Sequence, residues 1–167
     1  EGAASADYFG ALKPLLSTGG FVRRDRSAPD VANALINYCA GVLRETIRTA
    51  VIRTGLHPGL GFLHQSGPAR PSLVFDLMEE WRPVLVEGVV IPLLGLRRVT
   101  GDDMERRFGQ HQLTSEARRK AVDRIHQRLA STRQPEGRTL GEIVNAQPLA
   151  LSHHLSGGPG YETFRWK

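Results

Sequence analysis

Residues 30–54 read DVANALINYCAGVLRETIRTAVIRT, and this stretch predicts one long α-helix. Its apolar side chains recur every three or four residues, which is the repeat of one face of an α-helix. Asp30 belongs to the residue types that cap helix starts, and Gly55 to those that end helices. At 1.5 Å per residue the predicted helix is roughly 37 Å long, the full length of a small domain.

Apolar residues also recur every three or four positions before and after this helix, which predicts further helices. A first helix is predicted to end at Gly19-Gly20, and Pro83 and Pro92 should kink or divide the apolar segment 73–96. Residues 101–108 are interpreted as a polar connector, 114–131 as an amphipathic helix, and 139–142 as a capping box that opens the last helix. No alternating run is long enough for a sheet, so the sequence predicts an all-α, multi-helix domain over residues 1–167.

Length and composition place the chain among ordinary globular proteins. It has 167 residues, 40% of them hydrophobic and 23% charged, and no apolar run reaches the roughly 20 residues that a membrane helix needs. A single cysteine, Cys39, excludes an internal disulfide framework, and we expect a cytoplasmic protein. The sequence lacks an initiator Met and a signal peptide, which predicts the C-terminal part of a longer protein.

The charge pattern favours a nucleic-acid partner. The net charge is +5, and the cations are 19 Arg against 3 Lys. Arginine carries a planar fork of donors that matches phosphate, although a GC-rich genome produces the same bias. One group of cations, Lys120, Arg124 and Arg128, is predicted to lie opposite the apolar stripe Val122, Ile125 and Leu129 of its helix.

Three acids lie within one predicted helical turn, at Asp76, Glu79 and Glu80. Two carboxylates on one mostly apolar face repel each other, so a positive group should lie between them. Either Arg82 fills that role at a simple helix edge, or a divalent metal does. His64 precedes Glu79 by fifteen residues. An imidazole with carboxylates suits Mn²⁺ or Mg²⁺ with open positions for phosphate oxygens, although a lone histidine is more often structural.

Four motifs follow one another in a fixed order along the chain. They are EGxAxxxYF at 1–9, NALINY at 33–38, GLxPGxGFLH at 55–64 and SLxxDLMEEWRP at 72–83. Together they resemble the C-terminal helical domain of the CRISPR-associated adaptation integrases, the Cas1 family. The ending YxxFxW at 161–166 also fits that family. The resemblance covers nearly the whole chain, but the family's N-terminal β-rich dimerisation domain is not in this sequence.

The resemblance implies a catalytic site and its reaction. Glu1, His64 and Glu79 match the residues that bind Mn²⁺ or Mg²⁺, and Asp76 matches a nearby catalytic acid. The implied reaction is attack by the 3′-hydroxyl of a captured DNA fragment, a spacer, on a phosphodiester at the repeat border of a CRISPR array. The same site would hydrolyse DNA when water replaces the hydroxyl.

The implied partners are double-stranded DNA of the repeat and the captured spacer, a second copy of the chain, and a bridging dimer of the small Cas2 protein, with no membrane. The residues assigned to the DNA backbone are Arg23, Arg24, Arg26, Arg82, Lys120, Arg124 and Arg128. Two other functions stay open: a non-catalytic DNA-binding or assembly module, and a related transposon integrase. Genomic neighbourhood would separate the latter from array adaptation.

Overall fold

The structure, a computed structural model, describes residues 2–65, 67, 70–132 and 137–164. Most of them are helical, and the helices are α1 (Gly2–Leu16), α2 (Val31–Arg53), α3 (Ser72–Glu79), α4 (Gly88–Gly95), α5 (Ser115–Leu129) and α6 (Leu140–Leu155). Two short strands, β1 (Met104–Arg107) and β2 (Gln110–Leu113), form one antiparallel hairpin. The predicted helical fold is confirmed, and this hairpin is the departure from it.

The described residues group into two compact units. The first combines residues 2–40 with 86–125, and the second combines 41–85 with 126–164. Each unit therefore brings together two separate stretches of the chain. No helix among the described residues is both long enough and apolar enough to cross a lipid bilayer.

In the first unit, the chain turns sharply between α1 and α2. Gly20 has a φ of +75°, and a Cβ at Gly19 would come within 2.8 Å of the Leu94 side chain. Both glycines are therefore required, one by its backbone conformation and one by close packing. Helix α2 then starts as predicted, because the Asp30 carboxylate accepts the backbone N–H of Asn33 at 2.8 Å.

The second unit is built around Trp81, which is fully buried and donates its indole N–H to the Gln147 side chain on α6. Helix α6 opens on the predicted capping box. The Thr139 hydroxyl accepts the backbone N–H of Glu142 at 3.2 Å, and the Glu142 carboxylate accepts that of Thr139 at 2.7 Å. Two of the otherwise unpaired donors at the helix start are thus satisfied.

The apolar segment is divided at Pro83 as predicted, but Pro92 and the polar connector differ from expectation. Pro83 begins a short π-helix, Pro83–Glu87, whereas Pro92 lies inside α4 and does not divide it. Residues 101–108, expected to be a connector, contain a 3₁₀ turn and the whole of β1. The strands are only four residues long, too short for an alternating pattern to be visible in the sequence.

The buried stripe of α5 also differs from the predicted one. Ala117, Ala121 and Ile125 are buried, whereas Val122 is half-buried. Ile125 is buried as predicted, and the small residues Ala117 and Ala121 take the places expected for Val122 and Leu129. The row Lys120, Arg124 and Arg128 consequently lies beside the buried stripe and is half-buried, not on the opposite face of the helix.

Candidate active site

The best-defined polar arrangement in the second unit joins Asp76 on α3 to the loop that ends at His64. The Asp76 carboxylate is 8% exposed and accepts four hydrogen bonds. Three come from the backbone N–H groups of Phe62, Leu63 and His64, at 2.5, 3.0 and 3.0 Å. The fourth comes from the imidazole Nδ1 of His64, at 2.6 Å. One buried carboxylate therefore fixes both the path of the loop and the orientation of the histidine.

The electrostatics of this pair determine which imidazole nitrogen carries the proton. Burial by itself would raise the pKa of the Asp76 carboxyl, but the hydrogen bonds from His64 and from the three backbone amides outweigh it and hold the pKa below its usual value. An ionised carboxylate only accepts hydrogen bonds, so Nδ1 must be the donor. In the neutral ring, Nε2 is then the nitrogen whose lone pair is suited to a metal.

A glycine lets the loop approach α3 so closely. A Cβ at Gly61 would lie 2.7 Å from the Asp76 carboxylate and 2.8 Å from Ser72, closer than atoms can pack. The Ser72 hydroxyl, at the start of α3, donates to the carbonyl of Gln65 at 2.8 Å and ties down the far end of the loop. Gly61, His64 and Asp76 thus contribute to the same local structure: Gly61 permits the close approach of the loop, and Asp76 binds His64.

The three neighbouring acids have three different partners. Glu79, the last residue of α3, is half-exposed and lies 3.3 Å from the Arg82 guanidinium. Glu80 accepts the Tyr161 hydroxyl at 2.9 Å and the backbone N–H of Phe164 at 2.7 Å. Arg82 is thus a positive group beside Glu79, as one of the two sequence alternatives expected, and Asp76 is satisfied by hydrogen bonds.

Residues 161–164 are fastened to the end of α3, which sequence reasoning did not foresee. The Phe164 ring stacks on Trp81, with ring centroids 4.1 Å apart and planes at 21°. Burial, then the charge and hydrogen bond of Glu80, raise the pKa of the Tyr161 hydroxyl, so it remains a donor. Glu80, the residue after Glu79, is therefore bound by residues that lie more than 80 positions later in the chain. The YxxFxW motif at 161–166 was the one sequence signal for this segment.

The predicted metal ligands are only partly described. Glu1 lies outside the described residues, so its convergence with His64 and Glu79 stays a prediction. Within the described part of the chain, no group of three or more His, Cys, Asp and Glu side chains is arranged to hold a metal ion. A metal site here accordingly depends on Glu1 as well.

Several of the predicted DNA-binding cations are engaged in the fold. Arg24 donates to the side chains of Asn33 and Asn37 at 2.9 and 2.6 Å, and Lys120 pairs with Asp103 at 3.5 Å. Together with Arg82, these cations have structural partners, which reduces their availability to phosphates.

The other predicted DNA-binding cations differ in exposure. The Arg23 side chain is 82% exposed, 3.9 Å from Asp25, and Arg26 is exposed as well. Arg124 and Arg128 are half-buried on α5. Of the seven cations, Arg23 and Arg26 are thus the most accessible to a partner.

Comparison with known proteins identifies the family. The sequence profile of the CRISPR-associated protein Cas1 family matches residues 1–127. A CRISPR-associated endonuclease Cas1 from Rhodospirillum rubrum is 36% identical over 178 aligned residues, which cover 100% of this chain and 52% of that protein. The chain thus spans about half the length of this curated relative.

Solved structures agree on the fold. A Cas1 protein from Thermotoga maritima superposes with a TM-score of 0.84 at 24% identity, covering 98% of this chain and 52% of its own. A casposase bound to its integration product gives a TM-score of 0.73 at 27% identity, covering 81% of this chain and 40% of its own. Sequence and fold confirm the resemblance drawn from the four motifs: the chain belongs to the Cas1 family.

Proposed function

We propose that the protein is a metal-dependent DNA integrase and endonuclease that inserts captured foreign DNA into a CRISPR array in the cytoplasm. The observation that carries the proposal is the Asp76–His64 pair, in which a buried carboxylate fixes the tautomer of a histidine beside a helix that ends in Glu79. Membership of the Cas1 family supports the same reaction.

The side chains of His64 and Glu79 are suited to binding Mn²⁺ or Mg²⁺. Glu79 offers a half-exposed hard oxygen donor, and the hydrogen bond to Asp76 leaves Nε2 as the metal-binding nitrogen of His64. With Glu1 as the third ligand, the set would have one nitrogen and carboxylate oxygens, not the closed nitrogen and sulfur set of structural zinc. Asp76 then acts by orienting His64, because its carboxylate already accepts four hydrogen bonds.

A bound divalent ion would lower the pKa of the attacking 3′-hydroxyl and stabilise charge on the non-bridging phosphate oxygens. The chain's own contribution is to hold its donors rigidly, since Asp76 fixes the loop before His64 and Tyr161 fixes the residue after Glu79. The most exposed assigned cations, Arg23 and Arg26, would contact the DNA backbone without reading its sequence.

The family also supplies the proposed partners: double-stranded repeat and spacer DNA, a second copy of the chain, and a Cas2 dimer that bridges two such pairs. A related transposon integrase is the second candidate, favoured by the likeness to the casposase. The two differ in their target DNA, so strand transfer into a CRISPR repeat compared with a random duplex separates them.

The test of the site is His64→Ala in the full-length protein. We expect a folded protein that still binds DNA but has lost strand transfer and Mn²⁺ binding, because the phosphate contacts come from arginines elsewhere. Melting temperature, DNA affinity, strand transfer and Mn²⁺ binding by calorimetry are measured together. His126→Ala, an exposed histidine on α5, is the matched control and should behave as the wild type.

The outcomes separate the alternatives. Strand transfer near the wild-type level in Mn²⁺ would show that His64 is not a required ligand. Activity that falls only in parallel with a loss of stability, about 1–3 kcal/mol, would assign it a structural role. A wild-type protein that binds DNA but transfers no strand would favour the non-catalytic module.

A further inference from the structure

The turn of the β1–β2 hairpin contains a residue that this kind of turn disfavours. The strand register pairs Arg107 with Gln110, so Phe108 and Gly109 form a two-residue turn. Their φ angles are +50° and +79°. Hairpin turns with positive φ at both central positions prefer Asn-Gly or Asp-Gly, and a bulky side chain in the left-handed region is unusual.

The Phe108 side chain also gains little from the fold. It is 93% exposed, and the Arg107 guanidinium lies 5.4 Å from its ring centroid. The backbone conformation disfavours a large aromatic residue, and the exposed ring gains almost no burial that would offset this cost. Such departures from local preference concentrate at sites of function.

The strand ends beside this ring are basic. Residues 106–113 contain two arginines and no acid. Arg106 and Arg107 are both exposed, and neither forms an ion pair with an acidic side chain of the described residues. The acid of β1, Glu105, shares a strand face with Arg107, but it lies 3.7 Å from Arg118 and pairs with that residue.

Side-chain alternation arranges these groups around the tip of the hairpin. Arg106 pairs with His111, so the two share one face, whereas Arg107 projects from the other face. The tip thus presents cations on both sides of an exposed ring. In contrast, Arg24 and Lys120, which the sequence suggested for DNA, have partners within the fold.

We propose that this hairpin tip, Arg106 to His111, binds DNA: Arg106 and Arg107 contact phosphates, and Phe108 stacks on a base where the regular stack is interrupted. Guanidinium groups match phosphate in geometry and charge, and aromatic side chains stack on any base. A two-stranded ribbon is narrow enough to enter the major groove, which is about 12 Å wide. The inference rests on the proposed function, since DNA is the substrate there.

Phe108→Asn tests the ring without damaging the turn. Asparagine is favoured at this turn position, so the melting temperature should stay the same or rise. We expect the full-length variant to bind a duplex with unpaired bases roughly tenfold more weakly, because the stacking surface is lost. Leu155→Asn, which removes another exposed apolar side chain, is the matched control and should leave affinity unchanged.

A base analogue gives a direct readout of stacking. The fluorescence of 2-aminopurine at the unpaired position should be quenched by the wild type and recover with Phe108→Asn. Equal quenching by the two proteins would exclude Phe108 from the contact, whatever the effect on affinity.

The double variant Arg106→Gln/Arg107→Gln tests the phosphate contacts. Each lost contact should reduce the slope of log K against log salt by about 0.9, so we expect a slope smaller by about 2. The control, Arg44→Gln/Arg119→Gln, removes the same charge from arginines that pair with Glu45 at 3.1 Å and Glu116 at 2.7 Å. Its slope should match that of the wild type.

The outcomes distinguish this inference from the proposed function. Wild-type affinity and salt slope in all hairpin variants would overturn the inference while the His64→Ala result still stood. Unchanged DNA binding with a change of oligomeric state in light scattering would show that the hairpin contacts protein, and would also overturn it. Failure of the wild type to bind DNA would overturn both.

Discussion

At the scale of single residues, Asp76 has the largest influence on the candidate site. Its carboxylate is the common acceptor for three successive backbone amides and the His64 ring. Because three of those donors belong to the loop and one to the His64 ring, a substitution of Asp76 affects the loop and the ring together. The orientation of His64 and the local stability of the loop are therefore coupled through one side chain.

The first prediction concerns Asp76→Asn. The amide has one acceptor oxygen in place of two, so at least one backbone donor is left buried without its partner, at a cost of about 1–3 kcal/mol. Loss of the orienting carboxylate should also weaken Mn²⁺ binding by roughly 10–100-fold. Calorimetric Mn²⁺ titration and denaturant unfolding check both effects, with the exposed Asp102→Asn as control. Wild-type Mn²⁺ affinity in Asp76→Asn would show that Asp76 does not orient a ligand.

The second prediction concerns Cys39 on α2. Burial, reinforced by the charge of Glu87, raises the pKa of its thiol to about 12. A raised pKa preserves the neutral thiol at pH values below it, so at pH 8 the thiolate fraction is about 10⁻⁴. We expect no reaction with a disulfide reagent in the native protein and complete reaction after unfolding in guanidinium. Rapid labelling at pH 8 without denaturant would contradict the burial of this thiol.

At the scale of secondary-structure elements, prediction from sequence succeeded where local signals agreed. Helices α2 and α6 combine a cap with a helical repeat, and both begin as predicted. The hairpin was missed because its four-residue strands give no periodic signal and its turn carries Phe in place of Asn. The buried face of α5 was predicted only in part, because Ala117 and Ala121 pack inward beside Ile125 in place of Val122 and Leu129.

The third prediction belongs to the contact between the 161–164 segment and the end of α3. A hydrogen bond from a hydroxyl to a carboxylate contributes about 1.5–3 kcal/mol, so Tyr161→Phe should lower the free energy of unfolding by that amount. A double-mutant cycle with Glu80→Gln isolates the pair, and we expect a coupling of at least about 0.5 kcal/mol. Additive effects of the two substitutions would show that the contact contributes nothing.

At the scale of the whole molecule, the net charge of +5 is the feature that bears on binding. The fourth prediction is that log K for DNA falls linearly with log salt, because arginines displace counterions from the phosphates. Fluorescence anisotropy from low to physiological ionic strength measures the slope. Affinity that does not change over this range would contradict binding through phosphates.

For the candidate site as well, features carried by local motifs could be predicted from the sequence, whereas contacts between distant stretches of the chain could not. The candidate residues His64, Asp76 and Glu79 could be predicted because they stand in compact motifs. The four hydrogen bonds to Asp76 and the fastening of Glu80 depend on how separate stretches meet, which periodicity does not encode. For the same reason, the structural role of Arg24 could not be predicted, since it depends on Asn33 and Asn37, which lie on α2, 9 and 13 residues further along the chain.

The fastening of Glu80 has a consequence for the order of events during synthesis. Tyr161 and Phe164 follow Glu80 by 81 and 84 residues. At 5–20 residues per second, a ribosome takes about 4–16 s to cover that interval. During that time the end of α3 exists without the hydroxyl and amide that will hold it. The arrangement at the end of α3 is therefore complete only after Phe164 has been synthesised, well after the rest of the helix.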